Sequence, residues 1–166
     1  MPGIMPHIRI VDTPVSGSSE RIQRDWQGPG GWMQLEGSPT ALYRAHFSDR
    51  GPTPYSPAEP VPSPWHQADG WLDIALQGTA LQRAVWQALT HIPFGSTISY
   101  SALARWVGRP TAVRAVASAV AANPLPVLLP CHRVIRHNGA LGHYIAGTAV
   151  KRQLLECEHA SDSEAS

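Results

Sequence analysis

Pro52, Pro54, Pro57, Pro60, Pro62 and Pro64 fall within thirteen residues, and that density decides where this chain can fold. Each proline fixes φ and removes a backbone donor, so neither a helix nor an interior sheet ladder can run through the segment. It reads as an extended linker, which leaves structure to form on either side. Ahead of it, Trp32–Glu36 and Ala41–Phe47 alternate loosely around Gly37-Ser38-Pro39, the pattern of a hairpin. We therefore expect a small strand-containing N-terminal portion, linker included, over residues 1–70, a second domain over 71–160 and an acidic tail over 161–166. No internal repeat is visible.

The second half is helical and better punctuated. Thr79 is placed to cap a helix over Ala80–Thr90, where Leu81, Val85 and Leu89 recur on one face beside Trp86, and Pro93-Phe94-Gly95 closes it. Ser99 can cap a second helix from Tyr100 to about Val107, and Gly108-Arg109-Pro110-Thr111 turns the chain into a third over Ala112–Ala122. Two short helices about a glycine-containing turn make a helix-turn-helix. The fold class is therefore mixed α/β, of the α+β kind: strands first, then a mainly helical domain. The third helix carries Ala112, Ala115, Ala117, Ala119, Ala121 and Ala122, with Arg114 its only charge. Such small side chains suit close helix packing, and they equally suit approach to a narrow groove. Thr148–Glu158 reads as a last helix with Val150, Leu154 and Cys157 on one face, and Cys157, Trp86 and Trp106 are expected in the core.

Length and charge narrow the function classes. The 166 residues are 43% apolar, enough for one sizeable domain or two small ones sharing a core. No run of eighteen apolar residues and no charged-then-apolar leader occurs, so a cytosolic location is expected over a membrane or secreted one. Cys131 and Cys157 are then expected to stay reduced. The net charge of +1 hides a partition: from Ile74 to Leu155 there is no Asp or Glu, while seven arginines and Lys151 give +8. That is the balance of a phosphate-binding face, with Arg109, Arg133 and Arg136 as candidate contacts; a merely solvating role is the alternative.

The chemistry gathers where Asn123-Pro124-Leu125-Pro126-Val127-Leu128-Leu129-Pro130 leads into Cys131-His132-Arg133-Val134. Only a thiolate attacks, and an adjacent base or positive charge lowers a thiol pKa enough to supply one. A lone cysteine after an apolar strand is also, just as often, a small buried hydrophobe. Residue chemistry alone leaves both readings open.

Pro130-Cys131-His132-Arg133-Val134, with Asn123-Pro124 before it and Gly139, Gly142 and Tyr144 after it, resembles the active-site signature of the O6-alkylguanine-DNA alkyltransferases. The resemblance spans roughly residues 78 to 159, taking in Gly78-Thr79, Phe94-Gly95, Ile98-Ser99-Tyr100, Arg114-Ala115-Val116 and Lys151 to Glu158. It implies direct-reversal repair: Cys131 accepts the alkyl group from O6-alkylguanine, and from O4-alkylthymine, in duplex DNA, once per molecule, with no redox or metal cofactor. His132 would take the thiol proton through a water, oriented by Glu158. Arg114 would fill the stack vacated by the flipped nucleotide and Tyr100 would help rotate it. Asn123 would join helix to active-site strand, and Val134, Tyr144 and Ile145 would line the guanine pocket. The helix bearing Ala112 and Ala115 would enter the minor groove, and the protein would act as a monomer. His137 and His143 read as surface residues. Ile145 departs from the serine or larger polar residue usual in the family at that place, which leaves alkyl-size preference open. No cysteine precedes residue 131, so a thiolate zinc site in the N-terminal portion is excluded. The rival readings are a non-catalytic alkylguanine-binding protein that flags lesions, a helix-turn-helix transcription factor and a thiol hydrolase. The retained cysteine speaks against the first and the alanine-rich helix against the second.

Overall fold

A computed structural model describes residues 7–11, 20–48, 60–65 and 69–165, with side chains up to His159 in the last segment. The chain divides into two compact units, Met1–Gln77 and Gly78–Ser166. The division falls beyond residue 70 because the next strand belongs to the first unit's sheet.

That sheet is built from β1 (His7–Val11), β2 (Ile22–Gly28), β3 (Gly31–Gly37), β4 (Leu42–Phe47) and β5 (Trp71–Ala75), in the spatial order β1-β5-β4-β3-β2. The expected hairpin is the antiparallel pair β3–β4, pairing Leu35 with Ala45 and Glu36 with Arg44. Strand periodicity of two sends Met33 and Leu35 inward, both fully buried, while Trp32 and Gln34 are half-buried. A second hairpin, β2–β3, turns through Pro29 and Gly30. β1 and β5 are parallel partners far apart in sequence, so no local turn signal marks them. Within the proline-rich stretch, Pro52, Pro54 and Pro57 lie outside the described residues. The rest is less a free linker than a packed strap: Val61 and Trp65 are buried, and the Trp65 indole donates to the Ser38 carbonyl at 2.8 Å. Gly37 is required there, since a Cβ on it would stand 2.6 Å from that indole nitrogen.

The second unit follows the expected punctuation. Helix α1 (Ala80–Leu89) starts at a capping box, Thr79 accepting from the Gln82 backbone while the Gln82 side chain accepts from Thr79. Helix α2 (Tyr100–Trp106) is capped by Ser99, and α3 (Val113–Ala121) follows the Gly108 turn. Val85, Trp86 and Leu89 of α1 are buried with Val116, Ala119 and Val120 of α3, and the Trp86 indole donates to the Ala119 carbonyl at 2.8 Å. Trp106, expected in the core, is instead 55% exposed. The apolar face of α2 comprises Leu103 and Ala104, and Trp106 falls outside it at the helix end. β6 (Ile98–Ser99) pairs in parallel with β7 (Val134–Ile135), and α4 (Thr148–Ala165) closes the unit. The buried face of α4 carries Lys151, Leu154 and Glu158, with Val150 and Cys157 half-buried beside it. The acidic tail lies at its end, where side chains are outside the described residues. Among the described residues no helix is long and apolar enough to cross a membrane.

Candidate active site

The segment expected to be a strand ahead of Cys131 is a tight turn. Asn123, 6% exposed at the end of α3, ties it from both sides: its Nδ2 donates to the Leu129 carbonyl at 2.8 Å and its Oδ1 accepts from the Leu125 amide at 2.9 Å. Three prolines remove the donors a ladder would need, and the chain reverses through Val127 at φ 76°. A β-branched residue in that region costs on the order of 1–3 kcal/mol, so the surroundings hold the turn in place. A single turn of 3-10 helix, Cys131–Arg133, follows and leads into β7.

On that turn Cys131, a free thiol, is 7% exposed and His132 is 1% exposed. His132 Nε2 lies 2.7 Å from Glu158 Oε1, and because the partner is a carboxylate this nitrogen carries the proton and donates. Nδ1 is then the acceptor, and it has no hydrogen-bond partner among the described residues. Arg133 does not reach the surface. It is 8% exposed, and its Nε and Nη2 donate to Glu158 at 3.0 and 2.8 Å while Nη1 donates to the Ile92 carbonyl at 2.8 Å. Its guanidinium also sits over the Phe94 ring, 5.4 Å from the centroid. The expectation of a phosphate contact at Arg133 is thus corrected: its donors are spent on fixing α4 to the Cys131–Arg133 turn. Lys151 is likewise lost to the basic face. It is fully buried and donates to the Val134 carbonyl at 2.7 Å and the His143 carbonyl at 3.4 Å. Six exposed arginines remain of the eight basic residues: Arg83, Arg105, Arg109, Arg114, Arg136 and Arg152.

The electrostatics follow from burial. Burial pushes the Cys131 thiol above its ordinary value, and the Asn123 side chain and the Lys151 charge only partly offset it. The neighbouring positive charges therefore do not give a resting thiolate, contrary to the simplest reading of the sequence. Burial also holds His132 below 6.5 despite Glu158, leaving the imidazole neutral. Glu158 is raised by burial, but the bonds from His132 and Arg133 outweigh this and keep it ionised below 4.5. Lys151 falls to about 8, mainly through desolvation.

A cavity of about 480 Å³ opens onto Cys131. Of the residues singled out in the sequence, Tyr100, Arg114, Asn123, Cys131, Tyr144 and Ile145 line it. Val134 does not; it is fully buried in β7. Ala112 and Ala115 do not line it either: Ala115 is exposed on α3, and Ala112 is the N-cap of that helix. Sequence reasoning missed Lys151 as a buried cation, and it missed Val113, Ala117, Val120 and Arg136 as lining residues. The period-of-four pattern of α3 could have found Val113, Ala117 and Val120. Nothing local marks Lys151. His137 and His143, read as surface side chains, are exposed at the cavity edge. Gly142, where the loop passes Tyr100, is at φ 75°, a backbone conformation that favours glycine. Among the described residues no group of three or more His, Cys, Asp or Glu side chains is arranged to hold a metal ion.

Helix α3, with its small outer face, thus stands beside a cavity backed by a buried cysteine, histidine and glutamate. Residues 80–160 match the family described as 6-O-methylguanine DNA methyltransferase, DNA binding domain. This stretch, just under half of the chain, is thus similar to the O6-alkylguanine-DNA alkyltransferase family. It is 57% identical over 81 residues, 49% of this chain and 23% of the other, to the regulatory protein Ada of Salmonella typhimurium. To the inducible methylated-DNA–protein-cysteine methyltransferase of Bacillus subtilis it is 49% identical over 87 residues, 52% of this chain and 49% of the other. The crystal structure of Mycobacterium tuberculosis OGT in complex with DNA matches with a TM-score of 0.65 at 29% identity, covering 83% of this chain and 93% of that one. The chain spans about half the length or less of these two sequence relatives.

Proposed function

We propose that the protein repairs O6-alkylguanine, and O4-alkylthymine, in duplex DNA by moving the alkyl group irreversibly onto Cys131, one group per molecule. The observation that carries this reading is the arrangement at the cavity: a buried thiol beside a neutral histidine whose far nitrogen is bonded to an ionised, arginine-clamped Glu158. Because the thiol rests protonated, the reaction needs a base. His132 Nδ1 takes the proton through a water while Nε2–H stays on Glu158, which stabilises the imidazolium that forms. Sγ attacks the alkyl carbon, the sulfur–carbon bond forms, and the carbon–O6 bond breaks with its electron pair left on oxygen. Guanine regains its N1 proton, which balances the proton taken from the thiol.

A buried thiol cannot reach O6 inside a stacked duplex, so the nucleotide must leave the helix. Tyr100, at the cavity wall, turns it and meets its edge, and Arg114 on the exposed face of α3 fills the gap. Ala115, Ser118 and Ala121 keep that face shallow enough for the minor groove. Asn123 holds the turn that presents the thiol, and Tyr144 and Ile145 bound the base. A lesion-flagging protein without transfer has no use for the thiol, which this chain keeps. The test is stoichiometry on a duplex bearing labelled O6-methylguanine: one labelled methyl per protein, with no further turnover in excess DNA. Many repaired bases per molecule, or tight binding with no transfer, would overturn the reading.

A further inference from the structure

Arg136 is exposed, yet its side chain helps to line the cavity that holds Cys131, which places it at the rim. Its backbone is fixed there. β7 ends one residue earlier, and the Arg136 amide donates to the Ala140 carbonyl at 2.9 Å while its carbonyl accepts from the Gly139 amide at 2.9 Å, closing a tight turn. The side chain runs beside Tyr100: a Cβ built on Gly142 would stand 3.6 Å from Arg136 Cγ and 3.4 Å from the Tyr100 hydroxyl. Burial and the Cys131 sulfur raise the Tyr100 phenol, and the Arg136 charge acts in the opposite sense. No carboxylate among the described residues pairs with the guanidinium, and the sequence holds none from Ile74 to Leu155. A guanidinium without a counter-charge, at the edge of a wall made of Val113, Ala117, Val120 and Pro126, is a place for an anion.

We infer that Arg136 binds one of the two phosphates flanking the alkylated nucleotide and so holds that nucleotide in the cavity during transfer. This rests on the alkyl-acceptor reading above. The base must enter first, because its O6 substituent has to meet the buried Sγ, and the sugar with its phosphates is then left at the rim. Arg114 and Arg136 are the two arginines lining the cavity. Arg114 is committed to the gap in the stack, which leaves Arg136 for the phosphate. Its planar fork matches phosphate oxygens with two N–H donors. In the stacked duplex the lesion's phosphates are not at this rim, so the bond forms only once the nucleotide has left the helix. It therefore raises the rate of transfer and not the general affinity for DNA.

The experiment measures single-turnover rates at saturating protein for the wild type and Arg136→Gln. The substrates are an O6-methylguanine duplex, the same duplex with a neutral methylphosphonate in place of either the 5′ or the 3′ phosphate of the lesion, and free O6-benzylguanine. A charge-assisted hydrogen bond at an exposed rim is worth roughly tenfold. Arg136→Gln should therefore slow transfer from the native duplex about tenfold, and one of the two methylphosphonates should slow the wild type by a similar factor. On that substituted duplex the two proteins should react at the same rate, and free O6-benzylguanine should not distinguish them. An Arg136→Gln protein as fast as the wild type on the native duplex overturns the inference, as does one slowed equally on all three duplexes. Equal slowing on free O6-benzylguanine also overturns it, by assigning Arg136 to the base or the thiol. Each of these leaves the alkyl-acceptor reading intact, whereas absence of transfer from the native duplex by the wild type overturns that reading and this inference with it.

Discussion

Glu158→Gln keeps the shape of the side chain and removes its charge. The carboxylate accepts from His132 Nε2 at 2.7 Å and from Arg133 Nε and Nη2 at 3.0 and 2.8 Å, and it is 7% exposed. An amide accepts through one oxygen only, and its NH2 would face a guanidinium or imidazole donor. Arg133 would then be a buried cation without its counter-charge, which typically costs about 3–5 kcal/mol. The Ile92 carbonyl and the Phe94 ring still engage the guanidinium, so we expect the lower end, about 3 kcal/mol. His132 would lose the group that fixes its tautomer, and assistance of this kind is worth about 10²–10⁴-fold in rate. Urea unfolding should show a lower midpoint at unchanged slope, and single-turnover transfer from O6-methylguanine duplex, measured where the variant is folded, should slow by at least about 10²-fold. His132→Ala leaves the Arg133–Glu158 pair in place, so it should slow transfer comparably at a smaller stability cost. A folded Glu158→Gln protein that transfers at the wild-type rate would refute the relay.

Acid should loosen the fold through the same residues. His132 and Glu158 are both held below their ordinary values of 6.5 and 4.5, so the unfolded chain binds more protons and stability is lost as pH falls, first below about 6.5 and again below about 4.5. A urea midpoint that stays constant between about pH 8 and pH 4 would contradict this. Arg114→Ala should impair repair in duplex DNA more than transfer from free O6-benzylguanine, because a free base needs no extrusion; equal losses would assign Arg114 to the fold. Gly37→Ala should destabilise the N-terminal unit by about 1–3 kcal/mol, since its Cβ would stand 2.5 Å from the Ala41 carbonyl, and a wild-type midpoint by tryptophan fluorescence would show the strap to be looser than described.

What the sequence reveals and what it hides divide along one physical line. Caps and turns are local, so Thr79, Ser99 and Gly108 mark helices α1 to α3 nearly to the residue, and Gly37-Ser38-Pro39 marks the β3–β4 hairpin. β1 and β5 have no such mark, because they pair with distant strands. The apolar run before Cys131 looks like a strand by composition, yet its prolines and the Asn123 side-chain bonds make it a turn. Cys131, His132 and Glu158 were legible through the family motif, and the structure brings the last two within 2.7 Å. Arg133 and Lys151 were misread as surface charge because a lysine or arginine gives no sign in sequence that it will be buried against a carboxylate or a carbonyl. Trp106 errs the other way, as a large apolar residue that the packing leaves in solvent.

Intact mass spectrometry after reaction with O6-methylguanine duplex, followed by peptide mapping, tests the acceptor role of Cys131 most directly. The account predicts a gain of one methyl group per chain, located on Cys131, and no gain in Cys131→Ser. A methyl group on Cys157, or repaired DNA with an unmodified protein, would contradict it.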